Sequence, residues 1–107
     1  MRYGLTEMDL QKINTVFYNH PRIFKVVLFG SRAKGSYTHG SDIDLALFSD
    51  GLAFQEWLTL LVQLEELELA YKIYLLDIDR IQNIQLMGHI DRVGKIIFNR
   101  SEQKTTM

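Results

Sequence analysis

Apolar residues follow two spacings along this chain, one typical of helices and one typical of strands. Near the N-terminus, Thr6 and Asp9 have the spacing of a capping box, which marks the start of a helix. Four apolar residues then follow at helical intervals: Leu10, Ile13, Val16 and Phe17. The pattern predicts a first helix that ends near Asn19, His20 and Pro21.

Short segments rich in β-branched and aromatic residues predict the strands. Ile23 to Phe29 is apolar and stops at Gly30, as expected for a buried strand. The segment from Asp42 to Phe48 alternates between an apolar face and a face that begins with two carboxylates. Tyr71 to Ile78 predicts a third strand, and Lys95 to Phe98 predicts a short edge strand. The residues between the first two strands, 30 to 41, are expected to form a loop.

Two further segments have helical spacing. Leu52 to Leu69 is apolar over more than one side, which indicates either a deeply packed helix or a helix with a flank that faces a partner. Ile81 to Val93 has a weaker helical pattern. We therefore expect a single domain over residues 1–100, followed by a disordered tail over residues 101–107.

Composition narrows the class of protein. The chain has 107 residues, of which 47% are apolar and 23% charged, as in a folded globular domain. It contains no cysteine, which excludes disulfides and thiolate metal sites and favours the reducing cytoplasm. No apolar stretch approaches the roughly 20 residues of a membrane span. The net charge of −1 gives no general attraction to nucleic acid, so an anion site would have to be local.

Gly30 and Ser31 follow the first predicted strand directly. A glycine at this point allows a sharp turn, and a helix that starts after it would direct amide groups at an anion such as phosphate. Arg32 and Lys34 are nearby candidate counter-charges. A Walker A loop is excluded, because Ser36 stands where its lysine is required.

Asp42 and Asp44 are separated by one residue, so both carboxylates are expected on one face of a strand. Adjacent carboxylates without nearby histidine or cysteine favour Mg²⁺ or Mn²⁺, which take their remaining ligands from water and substrate phosphates. Ser41 would either cap the turn or orient Asp42 through a hydrogen bond. Together with the phosphate site, this pair indicates a nucleoside triphosphate with its metal ion and nucleotidyl transfer as the reaction.

Gly30-Ser31, nine residues, and then Ser41-Asp42-Ile43-Asp44-Leu45 resemble the motif of the DNA polymerase β-like nucleotidyltransferase superfamily, in its minimal (MNT-domain) form. The resemblance extends over nearly the whole chain. It implies an α/β fold, with a small mixed β-sheet and helices packed on it, like the polymerase β palm.

The resemblance also implies roles and partners. Asp42 and Asp44 would be the catalytic, Mg²⁺-binding residues, and Gly30, Ser31, Arg32 and Ser41 would bind the nucleotide, with ATP as the expected donor. Proteins of this type are commonly paired with a small helical protein of the HEPN or substrate-binding type, and some are antitoxins that transfer AMP to it. Separately, so small a chain would leave its nucleotide cleft open on one side, so a second subunit, identical or not, is expected to supply the acceptor.

The sequence departs from the family pattern at one position. The family usually has a third carboxylate on the next strand, and Tyr74 occupies that position here. Asp77 lies three residues further and should point to the opposite face of a regular strand. Because a neutral phenol is a poor Mg²⁺ ligand, two hypotheses stay open: a working nucleotidyltransferase, or a nucleotide-binding pseudoenzyme that restrains a partner. His20, His39 and His89 lack a metal-ligand spacing.

Overall fold

A computed structural model of the chain describes residues 1–100. Its four strands are β1 (Ile23–Phe29), β2 (Ile43–Ser49), β3 (Ile73–Asp77) and β4 (Lys95–Asn99). Its four α-helices are α1 (Glu7–Tyr18), α2 (Gly30–Lys34), α3 (Phe54–Glu65) and α4 (Ile84–Val93). A 3₁₀ turn, Ile78–Arg80, follows β3.

The strands form one mixed sheet in the order β3-β2-β1-β4. β1 pairs antiparallel with both β2 and β4, whereas β2 pairs parallel with β3. A parallel pair needs a crossover connection, and α3 lies in the segment that joins β2 to β3. The α/β class with a small mixed sheet, predicted from the resemblance, is confirmed.

Helices cover both faces of the sheet. On one face, α1 and α3 pack over the main apolar core, whose strand residues include Val26, Leu28, Ile43, Leu45, Leu47 and Leu75. On the other face, Ile90 of α4 packs with Val27, Phe29 and Ala46 in a smaller cluster. Side chains alternate between these two clusters along β1 and β2, as the period of a strand requires.

The ends of α1 are fixed by polar contacts. The hydroxyl of Thr6 accepts a hydrogen bond from the amide of Asp9, and the carboxylate of Asp9 accepts one from the amide of Thr6, so the predicted capping box is present. Beyond the other end, the guanidinium of Arg100 donates to the carbonyls of Phe17, Tyr18, His20 and Ile23. Arg100 thereby joins the α1–β1 turn to the end of β4.

Several boundaries differ from those predicted. The first five residues of the expected loop form α2 instead. A helix this short has too few residues to show a helical pattern of apolar positions. α3 ends at Glu65 rather than Leu69, and soon afterwards Glu68 adopts a left-handed backbone conformation that cannot continue the helix. α4 begins at Ile84, because the side chain of Asn83 caps its first turn. The predicted tail, 101–107, lies outside the described residues.

The outer face of α3 carries exposed apolar side chains. Leu60 and Leu64 are buried, whereas four other large apolar residues of the helix are exposed: Phe54, Leu58, Leu61 and Val62. The broad apolar pattern of this helix therefore has a buried side and an unburied flank. Over residues 1–100, no helix has the length and apolar character needed to cross a bilayer.

Gly94 provides a test of the packing between α4 and the sheet. A methyl group at this position would overlap the Ile90 carbonyl oxygen and Cγ1 of Val27. We expect Gly94→Ala to lower the free energy of unfolding by about 1–3 kcal/mol, measured by urea titration. Gly40→Ala is the matched control, since no atom lies within 4 Å of a Cβ built there. Equal stability of the two variants would contradict this packing.

Candidate functional site

The site lies where β1 ends and β2 begins. The antiparallel register pairs Phe29 with Asp44, which brings Gly30 beside the Asp44 carboxylate. Gly30 has a φ of +73°, a conformation that other residues rarely adopt. A Cβ at this position would overlap Oδ2 of Asp44. Both the backbone conformation and the close approach therefore require glycine.

α2 begins beside the Asp44 carboxylate, and no side chain caps the amide groups of its first turn. Phe29 precedes this turn and has no side-chain acceptor for it. The helix ends at Gly35, whose φ of +83° is typical of a helix C-terminus. The amides of Gly30 and Ser31 lie in this uncapped first turn, and Gly30 itself adjoins the Asp44 carboxylate, so an anion bound by the turn would lie near that carboxylate.

The two carboxylates differ in environment. Asp42 lies immediately before β2 and is exposed, whereas Asp44 is the second residue of β2 and is half-buried on the α4 side of the sheet. Burial, and then repulsion from the Asp42 carboxylate, raises the pKa of Asp44 above its ordinary value, opposed by the positive charges of Arg32 and His89. A divalent cation between the two oxygen donors would remove this repulsion, so the donor set suits Mg²⁺ or Mn²⁺.

Ser41 holds the turn that leads to Asp42. Its Oγ accepts a hydrogen bond from the amide of Thr38 at 2.8 Å. The amide of Ser41 in turn donates to the carbonyl of Thr38 at 3.2 Å. These contacts match the turn-capping alternative for Ser41 and orient the backbone at the start of the carboxylate pair.

Arg32 is placed differently from the nucleotide contact expected for it. Its side chain is only 2% exposed, and it donates to the carbonyl oxygens of Tyr3, Ser41 and Asp42. The guanidinium is directed at the protein backbone rather than at solvent. This placement favours a structural role over direct contact with nucleotide, while Lys34 is exposed.

Tyr74 lies beside Asp44 on the neighbouring strand. The two residues are partners in the parallel β2–β3 register, so their side chains share a face of the sheet, and Tyr74 is 53% exposed. Residues 1–100 contain no group of three His, Cys, Asp or Glu side chains able to hold a metal ion. The described site therefore has two carboxylates and a phenol.

Asp77 does not replace the third carboxylate. The register from Ile73 to Asp77 is regular, so Asp77 lies on the opposite face from Tyr74, as expected. It is 6% exposed, accepts a hydrogen bond from the amide of Asp79, and forms an ion pair with Arg80 at 3.4 Å. Asp77 caps the 3₁₀ turn after β3.

His89 is a residue of this region that sequence reasoning missed. It projects from α4 toward Phe29, with the two ring centroids 6.2 Å apart and nearly perpendicular, and its charge influences Asp44. The available signal was its position three residues after Leu86 and one before Ile90, both of which pack on the sheet. Only the packing of α4 shows which strand that face meets.

Known proteins share the fold of this chain. The family described as "Polymerase beta, Nucleotidyltransferase" matches residues 11–103. A search of curated proteins finds no match. A solved toxin-antitoxin structure with AMP-PNP has a TM-score of 0.70 at 21% identity, over 90% of this chain and 77% of that chain.

Two other solved structures have the same fold. A tri-AMPylated Shewanella oneidensis HEPN toxin in complex with MNT antitoxin gives a TM-score of 0.67 at 19% identity, over 94% of this chain and 78% of that chain. The toxin-antitoxin MntA-HepT gives a TM-score of 0.66 at 19% identity, with the same coverage. At these identities the likeness shows the fold alone.

The family match and the fold define a nucleotidyltransferase-type domain. The chain belongs to the polymerase β nucleotidyltransferase family, and its fold is of the minimal, MNT type. The recognition made from the sequence motif is thus confirmed.

Alanine substitutions at Gly30 and Gly35 distinguish the effect of backbone strain from the effect of the contact with Asp44. We expect Gly30→Ala to weaken Mg²⁺-dependent nucleotide binding by at least about 10-fold, because the new methyl group displaces the Asp44 carboxylate. Gly35→Ala is the matched control: its φ is also positive, but no atom lies within 4 Å of the added Cβ. That variant should lose only about 1–2 kcal/mol of stability. Calorimetric titration with nucleotide and Mg²⁺ measures both; equal loss of binding would contradict the assignment.

The raised pKa of Asp44 has a pH-dependent consequence. The folded chain holds the Asp44 proton more tightly than the unfolded chain, so stability falls as pH rises between the unfolded and folded pKa values. We expect Asp44→Asn to stabilise the metal-free protein near neutral pH. That advantage should shrink as pH falls through the raised pKa toward the ordinary value of 3.8. Urea titrations in EDTA across this range test it, and a pH-independent difference would exclude this cause.

Proposed function

We propose that this protein is a Mg²⁺-dependent nucleotidyltransferase that transfers a nucleoside monophosphate to a hydroxyl group on a helical partner protein. One observation supports the proposal: the register of β1 and β2 brings the Gly30 backbone, at the start of α2, against the carboxylate of Asp44, two residues from Asp42. A phosphate donor site and a cation site thus adjoin, which is what a metal-bound nucleoside triphosphate requires.

Different residues of the chain would bind the phosphates and the cation. Amides of Gly30 and Ser31 would donate to the terminal phosphates, and Asp42 and Asp44 would hold the cation. When bound, Mg²⁺ supplies positive charge that offsets charge developing on the phosphate oxygens. The acceptor oxygen forms a bond to the α-phosphorus as the bond to the bridging oxygen breaks, and pyrophosphate leaves. The hydroxyl proton passes to a base that the partner or solvent provides.

The solved structures with this fold support the choice of nucleotide and partner. One is a toxin-antitoxin with AMP-PNP, and another is an AMPylated HEPN toxin in complex with MNT antitoxin. We therefore propose ATP as the donor, AMP as the transferred group and a HEPN protein as the acceptor, with this chain as the antitoxin. Reaction in the cytoplasm agrees with the absence of cysteine from the sequence.

A second function is favoured by Tyr74. Its phenol shares the sheet face with Asp44 at the place where a third carboxylate is expected. A phenol is neutral at pH 7 and would add no charge to hold a second cation. Asp77 lies on the other face, where its carboxylate caps the 3₁₀ turn by accepting a hydrogen bond from the amide of Asp79. A protein that binds nucleotide and restrains its partner without transferring AMP is consistent with these observations.

Transfer of label from ATP labelled at the α-phosphate distinguishes the two functions. The acceptors are the source cell's lysate and the product of the neighbouring gene. We expect wild type to label a partner, and Asp42→Asn with Asp44→Asn to abolish labelling. Asp50→Asn, which removes an exposed carboxylate beyond the other end of β2, is the matched control.

The pattern of labelling decides between the candidates. A wild type without activity whose labelling appears with Tyr74→Asp would establish the pseudoenzyme. A wild type that labels its partner, with Tyr74→Asp giving no large gain, would establish a competent enzyme. Failure of wild type to bind nucleotide with Mg²⁺ would overturn both.

A further inference from the structure

We propose that Arg32 is a positioning residue: its buried guanidinium fixes the backbone at Ser41 and Asp42 and thereby sets the Asp42 carboxylate for cation binding. This inference rests on the proposed nucleotide site. Arg32 would act on that site through the backbone of Ser41 and Asp42, without touching the nucleotide. Arg32 lies on α2, so the same helix that presents amides to phosphate also anchors the segment that bears the first carboxylate.

The contacts of Arg32 with this segment are short and multiple. Nη2 donates to the Ser41 carbonyl at 2.7 Å, and Nε lies 3.1 Å from the same oxygen. Nε also lies 3.3 Å from the carbonyl of Asp42. A planar fork that reaches two successive carbonyls fixes both the position and the direction of the chain.

The segment before Asp42 has few other anchors among the described contacts. Residues 35–40 are exposed, and the hydrogen bonds between Thr38 and Ser41 are internal to the segment. Ser36 is tied back to the carbonyl of Ser31, and the amide of Ile43 donates to the carbonyl of Lys72. Between those two ties, the side chain of Arg32 connects the backbone at Ser41 and Asp42 to α2 and to the carbonyl of Tyr3.

The surroundings hold the guanidinium in place. The ring of Tyr71 lies 4.3 Å below it and the ring of Tyr37 lies 5.4 Å away, while Nη1 donates to the carbonyl of Tyr3 at 3.0 Å. Gly4 follows Tyr3 in a turn where both residues have positive φ, and a Cβ at Gly4 would lie 2.7 Å from Nη1. The N-terminal turn thus closes over the guanidinium.

The burial of the Arg32 guanidinium indicates that its contacts do more than stabilise the fold. A charge that is 2% exposed costs desolvation free energy, and a packed apolar side chain would often stabilise a fold as well. The guanidinium donates to three carbonyls and, within residues 1–100, forms no ion pair with a carboxylate, so it does not compete with a cation for Asp42 and Asp44. Positioning of ligands by such outer contacts commonly changes metal affinity 10–100-fold.

The test measures the Mg²⁺ concentration that half-saturates binding of a fluorescent, non-hydrolysable ATP analogue. We expect Arg32→Met to raise this concentration by about 10-fold or more, and Arg32→Lys, which keeps the charge without the fork, to raise it by several-fold. Tyr71→Leu removes the aromatic face and leaves Arg32 in place. Because Tyr71→Leu retains the guanidinium, we expect it to raise the half-saturating Mg²⁺ concentration less than Arg32→Met does.

Arg100→Met is the matched control. Arg100 also donates to several backbone carbonyls and lies near two aromatic rings, Tyr18 and Phe98, but it joins the α1–β1 turn to the end of β4. It should lower the melting temperature without changing the Mg²⁺ midpoint. Equal midpoints for the Arg32 and Arg100 variants, or no change in any Arg32 variant, would overturn the positioning role. Absence of Mg²⁺-dependent binding in wild type would instead overturn the proposed function.

Discussion

The approach of the Gly30 backbone to the Asp44 carboxylate is the constraint on which the rest of the site depends. It exists because β1 and β2 pair with Phe29 opposite Asp44, and because residue 30 has no side chain. A shift of the register by one residue would turn Asp44 into the apolar core and separate the carboxylates from α2. The buried residues of both strands hold that register, so core packing and chemistry are specified together.

The sequence was sufficient for much of this architecture. Alternation of Ile43, Leu45 and Leu47 with polar residues identified β2 and its carboxylate face, and the capping box identified the start of α1. The spacing of Gly30-Ser31 and Asp42-Ile43-Asp44 indicates both parts of the candidate site. These features are local, so a periodic pattern or a fixed spacing reveals them.

What the sequence did not reveal depends on contacts between distant segments. Arg32 is next to Ser31 in the chain, and proximity to a phosphate motif suggested a ligand for nucleotide. Its direction is decided by carbonyls at Tyr3, Ser41 and Asp42, which no local pattern relates. His89 likewise meets Phe29 only because α4 packs against β1. Tertiary packing, not residue type, assigns such side chains their neighbours.

Tyr74 changes the electrostatic balance of the site. Two carboxylates are neutralised by one divalent cation, whereas three would leave a net negative charge that calls for a second cation. With a phenol beside Asp44, the protein part of the site is neutral once a single cation is bound. An incoming polyphosphate would then meet no residual carboxylate repulsion. In the proposed function, the phenol at position 74 would therefore favour retention of the nucleotide over recruitment of another metal ion.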